Sequence, residues 1–408
     1  MKPRSFFTVT AIASGIALPG VLACATDVQA IYEAPVSSAP VPEPVVDASV
    51  DGSVAVDADT CADCEQFPEV CTPDALCPAG LFDANAPKGG QRSFPLSTMI
   101  NAIASRGPND VWVAGAVGNI ARFDGTSWAA SDLGTQESME LFWLQDSGEL
   151  VFGASVLRHF LHGLDAHSGS TVTPMAGGWN AASLPAAQFR NFRTVTTVTG
   201  LSTAPGAEWT WLSMWATSTT GLSRMRRSSS GTIEIQPQVP AAISYKGDVV
   251  FGVHGHSPEV VWAVGARGLA FRLTGADGAS PALDAVNDVF ETQTGNNLNG
   301  IWAPSDADAW AVGAGTIAHY TAGTPLAERV EGIPADVTLH AVHGTSSSDI
   351  WAVGDEAVVY HYDGTAWSRV KVAGLGVRRP DLRAVHAIAP GTVWIGGRGI
   401  ILSLGGGK

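Results

Sequence analysis

The chain has 408 residues and a formal net charge of −15, with 15% charged and 45% hydrophobic residues. Residues 25–90 hold 12 acidic side chains and one Lys, so the acidity is concentrated ahead of the main body of the chain. No basic surface is expected, and the composition argues against nucleic acid as a partner.

The first 24 residues have the pattern of an export signal. Two basic residues precede an apolar run, Phe6–Leu22, that is too short and wrongly flanked for a membrane span. The run ends in Val21-Leu22-Ala23-Cys24, which resembles the lipobox of bacterial lipoproteins and implies lipidation of Cys24. Ala25 directly follows this Cys, and this position resembles that of lipoproteins released to the outer membrane. We therefore expect an exported protein, anchored by lipid alone at the outer membrane or cell surface. An ordinary signal peptide with an incidental Cys24 is the alternative.

A linker and a cysteine-containing segment follow. Residues 25–60 predict a disordered linker, because Pro, Ala, Ser and Asp dominate and large side chains are few. Residues 61–90 contain the pattern C-x2-C-x6-C-x5-C, formed by Cys61, Cys64, Cys71 and Cys77. In an exported chain this cluster predicts two disulfides, with three possible pairings. The alternative is a zinc site of four thiolates, although the second Cys pair lacks C-x2-C spacing.

Residues 91–408 consist of approximate copies of one unit, seen best at Leu339–Trp367. The unit has four short runs rich in Val, Ile, Trp and Tyr, which favour strands. Asp363-Gly364 lies between the third and fourth runs and is a hairpin signal. Other copies share a Trp-x-x-Gly core and include Val111–Gly115, Val261–Gly265, Ala309–Gly313 and Val393–Gly397. Two weaker copies cover Met139–Phe160 and Phe192–Met225.

Seven units of this kind predict an all-β fold, a β-propeller of seven four-stranded blades. Their core positions are separated by 39 to 60 residues, close to the repeat length of propeller families. The last unit ends near Leu404 without a fourth strand. We predict that Gln91–Leu96 supplies this strand and joins the two ends of the ring. The stretch Met214–Pro240 is expected to protrude as a loop.

Two hairpins carry a family resemblance. Asp124-Gly125-Thr126-Ser127-Trp128 and Asp363-Gly364-Thr365-Ala366-Trp367 resemble the Asp-box of the BNR repeats of sialidases. They depart from that motif, because Gly directly follows Asp and the leading Ser is missing. The resemblance implies a propeller, a fold that hosts many functions and so does not assign one.

Alignment of the units produces two columns of candidate site residues. The third strands hold Arg122, His159, Arg224, Arg272, His319 and His361, with Ser403 in the last unit. These residues are a possible cationic ligand-binding ring, or they pack beside the Trp of each blade. The first strands hold His254, Trp302, His343 and His386, with Ala104 in the first unit. These face the expected central channel, where they would bind a metal or hydrogen-bond within their blades, as Asp349 and Trp351 would allow for His343.

The chain shows no catalytic motif: neither Gly-x-Ser-x-Gly nor His-Glu-x-x-His in the required context, and no sialidase-like set of Arg, Tyr and Glu. No cofactor or metal is implied, and we assign no catalytic residue. The first functional hypothesis is a monomeric binding or scaffold protein with a protein or glycan partner, contacted through loops on one face. The alternatives are a glycan-acting hydrolase or lyase and a purely structural surface protein. Candidate exposed aromatics, with core burial as the alternative, are Trp143, Trp179, Trp215 and Trp302.

Overall fold

The short apolar runs of each repeat form antiparallel strands. The structure is a computed structural model that describes residues 63–84, 93–145, 148–153, 160–162, 172–174, 179–182, 195–216, 222–227, 233–237, 249–277 and 286–404. Cys24, Cys61 and the linker lie outside these residues. Among the helices that the structure describes, none has the length and apolar character to cross a membrane.

The described strands form seven antiparallel sheets. The first two sheets contain β2 (Ile100–Gly107), β3 (Asp110–Gly115), β4 (Asn119–Phe123) and β5 (Trp128–Asp132), then β6 (Met139–Gln145), β7 (Gly148–Gly153), β8 (Phe160–His162), β9 (Val172–Pro174) and β10 (Asn180–Ala182). The third and fourth contain β11 (Val195–Ser202), β12 (Thr210–Ala216), β13 (Leu222–Arg227) and β14 (Ile233–Pro237), then β15 (Val250–His254), β16 (Val260–Gly265), β17 (Ala270–Thr274) and β18 (Val286–Val289).

The remaining sheets follow the same order. The fifth and sixth contain β19 (Leu298–Ser305), β20 (Asp308–Gly313), β21 (Thr316–Thr321) and β22 (Glu328–Arg329), then β23 (Leu339–Ser346), β24 (Asp349–Gly354), β25 (Val359–Tyr362) and β26 (Trp367–Arg369). The seventh contains β27 (Leu382–Ala389), β28 (Thr392–Gly397) and β29 (Ile400–Leu404), completed by β1 (Leu76–Pro78). Within the described ranges, single-turn 3-10 helices lie at Ala116–Gly118, Ala266–Gly268 and Asp355–Ala357.

The sheets close into a ring. Each innermost strand packs against the innermost strand of the next sheet, and β27 packs against β2. The buried apolar clusters lie between successive sheets rather than within one, as for Trp351, Leu382 and Ile395 between the sixth and seventh. A single meander cannot bury both of its faces, so this stacking forms the core. The predicted all-β propeller is confirmed.

The Asp-Gly hairpins join the third and fourth strands as predicted. Asp363 Oδ1 accepts hydrogen bonds from the backbone N–H groups of Thr365 (2.8 Å) and Ala366 (3.0 Å). The N–H groups of Ala366 and Thr365 hold the pKa of the Asp363 carboxyl below its ordinary value. Gly364 has φ +92°, a conformation that side chains rarely adopt, which explains why Gly follows Asp directly.

The strand that closes the ring is β1, and the prediction for Gln91–Leu96 is wrong. Leu76, Cys77 and Pro78 pair with Leu404, Ser403 and Leu402 of β29. Leu76 is fully buried, and its N–H donates to the Lys371 carbonyl at 2.9 Å.

Phe94 instead pairs with Phe82, which itself follows β1. The physical reason is the buried apolar surface that Leu76 and Cys77 provide to the last sheet. Residues 61–90 are therefore not a separate segment where they are described, because they complete a blade.

The described residues contain one of the two predicted disulfides. Cys71 and Cys77 form it, and the short loop that it closes ends within β1, where Cys77 pairs with Ser403 of β29. Phe67, in the same segment, packs under the Arg379 guanidinium at 3.8 Å from the ring centroid. A strand pairing and a cation–π contact hold this part of the chain against the last sheet, and the disulfide closes a loop within it.

The middle sheets differ from the predicted pattern in two places. The second sheet has five strands in the order β6-β7-β8-β10-β9. Met214–Pro240 is not a protruding loop where it is described, because β13 and β14 lie within it and pair as the outer half of the third sheet. The Arg- and Ser-containing sequence of β13 hides the alternation that normally reveals a strand, and β14 has only five residues.

Candidate functional site

A channel runs between the seven innermost strands. Its cavity has a volume of about 820 Å³ and is lined by β2, β6, β11, β15, β19, β23 and β27. The strands repeat the same register, so equivalent residues of different sheets form rings around the channel. Two rings, one toward each end of these strands, carry most of the polar chemistry.

Tight packing separates the two rings. A Cβ atom added to Gly300 would lie 3.2 Å from the Ala341 Cα, and one added to Gly252 would lie 3.3 Å from the Gly300 Cα. Neighbouring innermost strands therefore approach closely at these two glycines, and a larger residue at either one would require the next strand to shift by a few tenths of an ångström.

The first ring, which we call the imidazole mouth, consists of residues paired with the core position of the second strand. It contains Trp143, Ser202, His254, Trp302, His343 and His386, with Ala104 in the first sheet. The ring centroids of His343 and His386 are 4.5 Å apart. The structure thus places the predicted first-strand column on the channel wall.

The imidazoles of this mouth form hydrogen bonds with the next sheet of the ring. His254 Nδ1 accepts a hydrogen bond from the Ala303 N–H at 3.0 Å, and His343 Nδ1 accepts one from the Ala387 N–H at 3.2 Å. His386 Nε2 lies 2.9 Å from Ser105 Oγ of the first sheet. The expected network of His343 within its own blade is wrong: Asp349 instead binds Trp351 Nε1 (2.9 Å) and His361 Nε2 (2.8 Å).

These imidazoles are neutral at pH 7. Burial lowers the pKa of His254 and of His386 to about 4, with a further contribution from His256 for His254. Burial, together with His386 and His254, lowers the pKa of His343 well below its ordinary value. A neutral ring is required wherever Nδ1 accepts a backbone hydrogen bond. Among the described residues, no group of three or more His, Cys, Asp or Glu side chains could hold a metal ion.

The second ring, which we call the polar mouth, consists of residues at β-bulges. It contains Asn101, Glu140, Phe251, Asn299, His340 and Arg383, each at the point where pairing of the innermost strand shifts register. A bulge leaves one residue unpaired and redirects its side chain. Here the bulges bring amide, charged and aromatic groups to one end of the channel.

The side chains of the polar mouth have different partners. His340 Nε2 lies 2.6 Å from Asp355 Oδ1, and Arg383 Nη1 lies 3.2 Å from His340 Nδ1. A guanidinium can only donate, so His340 Nδ1 accepts this bond and Nε2–H donates to Asp355 Oδ1. The channel thus has amide and carboxylate groups on one side of this mouth and an Asp–His–Arg chain on another.

The third-strand column does not lie in the channel lining. Its described members stand opposite a Trp in the pairing register, as in Trp112–Arg122, Trp262–Arg272, Trp310–His319 and Trp351–His361. The His319 ring stacks on Trp310 with a centroid distance of 4.3 Å, and the Arg272 guanidinium lies 5.8 Å from the Trp262 centroid. Arg224 is buried and lies over Trp209 at 4.2 Å. These side chains pack against a Trp of their own blade, and Arg224 and Arg272 also donate hydrogen bonds to the Ala276 and Asp306 carbonyls of the next one.

Two predicted positions need adjustment. His159 lies outside the described residues, and the register places His162 opposite Leu150 in the second sheet. The core of that unit is therefore one residue earlier than the sequence alignment suggests. The candidate exposed aromatics Trp143, Trp179 and Trp302 are buried, and the Trp215 side chain lies outside the described part of the structure.

Sequence reasoning missed the polar mouth. Apart from Asn101 and Asn299 its residues are of different types, so no column of one chemical type marks them. What these residues share is their position: each residue of the polar mouth directly follows the first paired residue of its innermost strand.

Comparison with known proteins supports the fold. No protein-family model matches the sequence, and no curated protein matches it. A solved structure of YCF48 from Cyanidioschyzon merolae is 15% identical, with a TM-score of 0.54, covering 76% of this chain and 97% of that one. A catalytically inactive variant of virginiamycin B lyase from Staphylococcus aureus with quinupristin is 12% identical, with a TM-score of 0.55, covering 75% and 94%.

A third solved structure, YCF48 bound to D1 peptide, is 17% identical with a TM-score of 0.53, covering 80% of this chain and 96% of that one. At these identities the likeness concerns the fold alone. This chain is similar in architecture to a set of β-propellers.

Proposed function

We propose that this chain is an exported, lipid-anchored binding protein whose propeller holds a peptide segment of a protein partner at the polar mouth. The observation that carries the proposal is the channel of about 820 Å³ with bulge-directed amide, charged and aromatic groups at one end. A closed ring keeps these groups in fixed positions, which lowers the entropic cost of binding. A similar propeller bound to a peptide supports this choice of ligand.

Photo-crosslinking at the mouth tests the binding proposal. A photoreactive phenylalanine derivative replaces Phe251 on the channel wall in one variant, and in the control it replaces Val289, which is 63% exposed on β18. We expect a discrete adduct with a peptide segment of a partner protein at Phe251 and none at Val289. Absence of an adduct, or the same adducts at both positions, contradicts the proposal.

The anchor is tested separately. The lipobox-like sequence at residues 21–24 supports lipidation of Cys24, with the linker as a spacer from the membrane. Labelling with a fatty acid should mark the wild-type chain and leave Cys24→Ala unlabelled. Equal labelling of both forms would refute the anchor without affecting the binding proposal.

A glycan-acting lyase or hydrolase is the second candidate. The Asp355–His340–Arg383 chain at the polar mouth favours it, because an oriented imidazole can act as a general base. Both His340 nitrogens are engaged, however, so binding is the better-supported function. A screen of chromogenic glycosides decides: turnover that His340→Gln abolishes would establish the enzyme.

A further inference from the structure

Glu140 differs from its equivalents in other repeats. At the same bulge position, Asn101 Nδ2 donates to the Met139 carbonyl at 3.0 Å, and Asn299 Nδ2 donates to the Leu339 carbonyl at 2.8 Å. Both amides thereby fasten their sheet to the next one. A carboxylate has no proton to donate and cannot perform this role. Glu140 therefore does not fasten its sheet to the next one as Asn101 and Asn299 do.

The Glu140 carboxylate also lacks a counter-charge. Within the described residues it forms no hydrogen bond and no ion pair, although its side chain lies on the channel wall. Burial raises its pKa, since water is partly withdrawn and nothing replaces it. A partly buried carboxylate without a counter-charge destabilises the folded protein unless a partner supplies positive charge.

Two arginines of the innermost strands are engaged by other side chains. Arg383 contacts His340 and lies 4.0 Å from Asp381. Arg106 is bound by Asp110 at 2.6 Å and by Glu149 at 2.5 Å. Neither arginine therefore neutralises Glu140.

A second acceptor lies in the adjacent sheet. Asn101 uses its Nδ2 for the Met139 carbonyl, so its Oδ1 is the atom left to face the channel, and Met139 directly precedes Glu140. A carboxylate and an amide oxygen on neighbouring strands, without an accompanying donor, form a site for a group that donates several hydrogen bonds and carries positive charge.

We propose that Glu140, assisted by Asn101 Oδ1, is the recognition site for a lysine or arginine side chain of the bound peptide. This inference rests on the proposed peptide-binding function and names the chemistry that the polar mouth selects. The cation compensates the negative charge of Glu140, and the other polar groups of the mouth surround the peptide backbone. A neutral donor would satisfy the hydrogen bonds but leave the charge uncompensated.

The test uses the full chain and a library of displayed peptides with randomised positions. We expect bound peptides to share one lysine or arginine, and acetylation of that lysine to weaken binding by about 10- to 100-fold, as for a charge-assisted hydrogen bond. Glu140→Gln should bind the lysine and acetyl-lysine peptides equally. Glu140→Lys should instead favour a peptide with glutamate at that position.

Glu328→Gln is the matched control, because its side chain is 86% exposed on β22. It should keep the full preference for lysine, and circular dichroism should show all variants folded. If the wild-type chain binds no peptide, the proposed function itself fails. If peptides bind without a basic residue and Glu140→Gln changes nothing, the inference is overturned and the proposed function stands. Glu140-dependent binding of free spermidine as tight as that of the peptide would also overturn it.

Discussion

The two mouths of the channel are built on the same seven strands but use their polar groups differently. At the imidazole mouth, His254 and His343 bind backbone N–H groups of the next sheet. At the polar mouth, Asn299 Nδ2 donates a hydrogen bond to a backbone carbonyl of the next sheet. Glu140 forms no hydrogen bond among the described residues. The difference teaches that one position of the repeat holds a structural polar group where its side chain can donate a hydrogen bond, as in Asn299, and an unpaired group where it cannot, as in Glu140.

Both mouths exist only if the ring of sheets is closed, and the substitution Leu76→Asp should open the ring. Leu76 is fully buried in the strand that completes the seventh sheet. A carboxylate without a partner there should cost more than about 4 kcal/mol of unfolding free energy. Urea denaturation measures this loss. Val70→Asp, at a position that is 71% exposed in the same segment, should leave the midpoint unchanged.

Acid should weaken the imidazole mouth. The folded pKa values of His254 and His386 are about 4, below the ordinary 6.5, so the unfolded chain binds more protons between these values. Stability is therefore complete above pH 6.5 and falls as the pH drops toward 4, by on the order of 2 kcal/mol for each imidazole. Thermal melts across this range measure the slope.

His343→Asn sharpens the acid experiment. The Asn amide oxygen can accept the Ala387 N–H hydrogen bond in place of His343 Nδ1, and it does not titrate. The variant should show a shallower pH dependence than the wild type. An unchanged slope would mean that His343 does not contribute to it.

Removing an amide from the polar mouth should cost less. Asn299→Ala deletes the bond to the Leu339 carbonyl and should lower stability by about 1 kcal/mol. Asn296→Ala, whose bond to the Ala314 carbonyl is exposed, is the control and should have a smaller effect. Equal losses of stability in the two variants would show that an amide joining two sheets contributes no more than an amide on the surface.

Glu140→Gln should have the smallest effect and the opposite sign. Since burial raises the folded pKa of Glu140, its charge destabilises the empty protein at pH 7 and ceases to do so once the carboxyl is protonated. The variant should gain up to about 1 kcal/mol at pH 7. The gain should vanish below the ordinary pKa of a glutamate. A loss of stability at pH 7 would show that Glu140 has a structural partner.

The candidate site was predictable only in part. The first-strand column around His343 faces the channel as expected, because equivalent strands in a closed ring must present equivalent residues inward. Its hydrogen bonds were not predictable, since His343 and Ala387 are 44 residues apart and belong to different sheets. Glu140 has no chemical likeness to Asn299, so only the paired register shows that they occupy the same position.

The sequence by itself determined the local pattern: alternating apolar runs, Asp-Gly turns and a recurring Trp specify antiparallel meanders and their number. These signals act between neighbours in the chain, where backbone conformation and strand pairing are set. Only the tertiary structure decided which segment closes the ring, because the three residues of β1 are too few to show alternation and gain stability from burial between distant strands. It also decided which polar groups bind the next sheet and which remain for a ligand, since that depends on contacts made after the ring has closed.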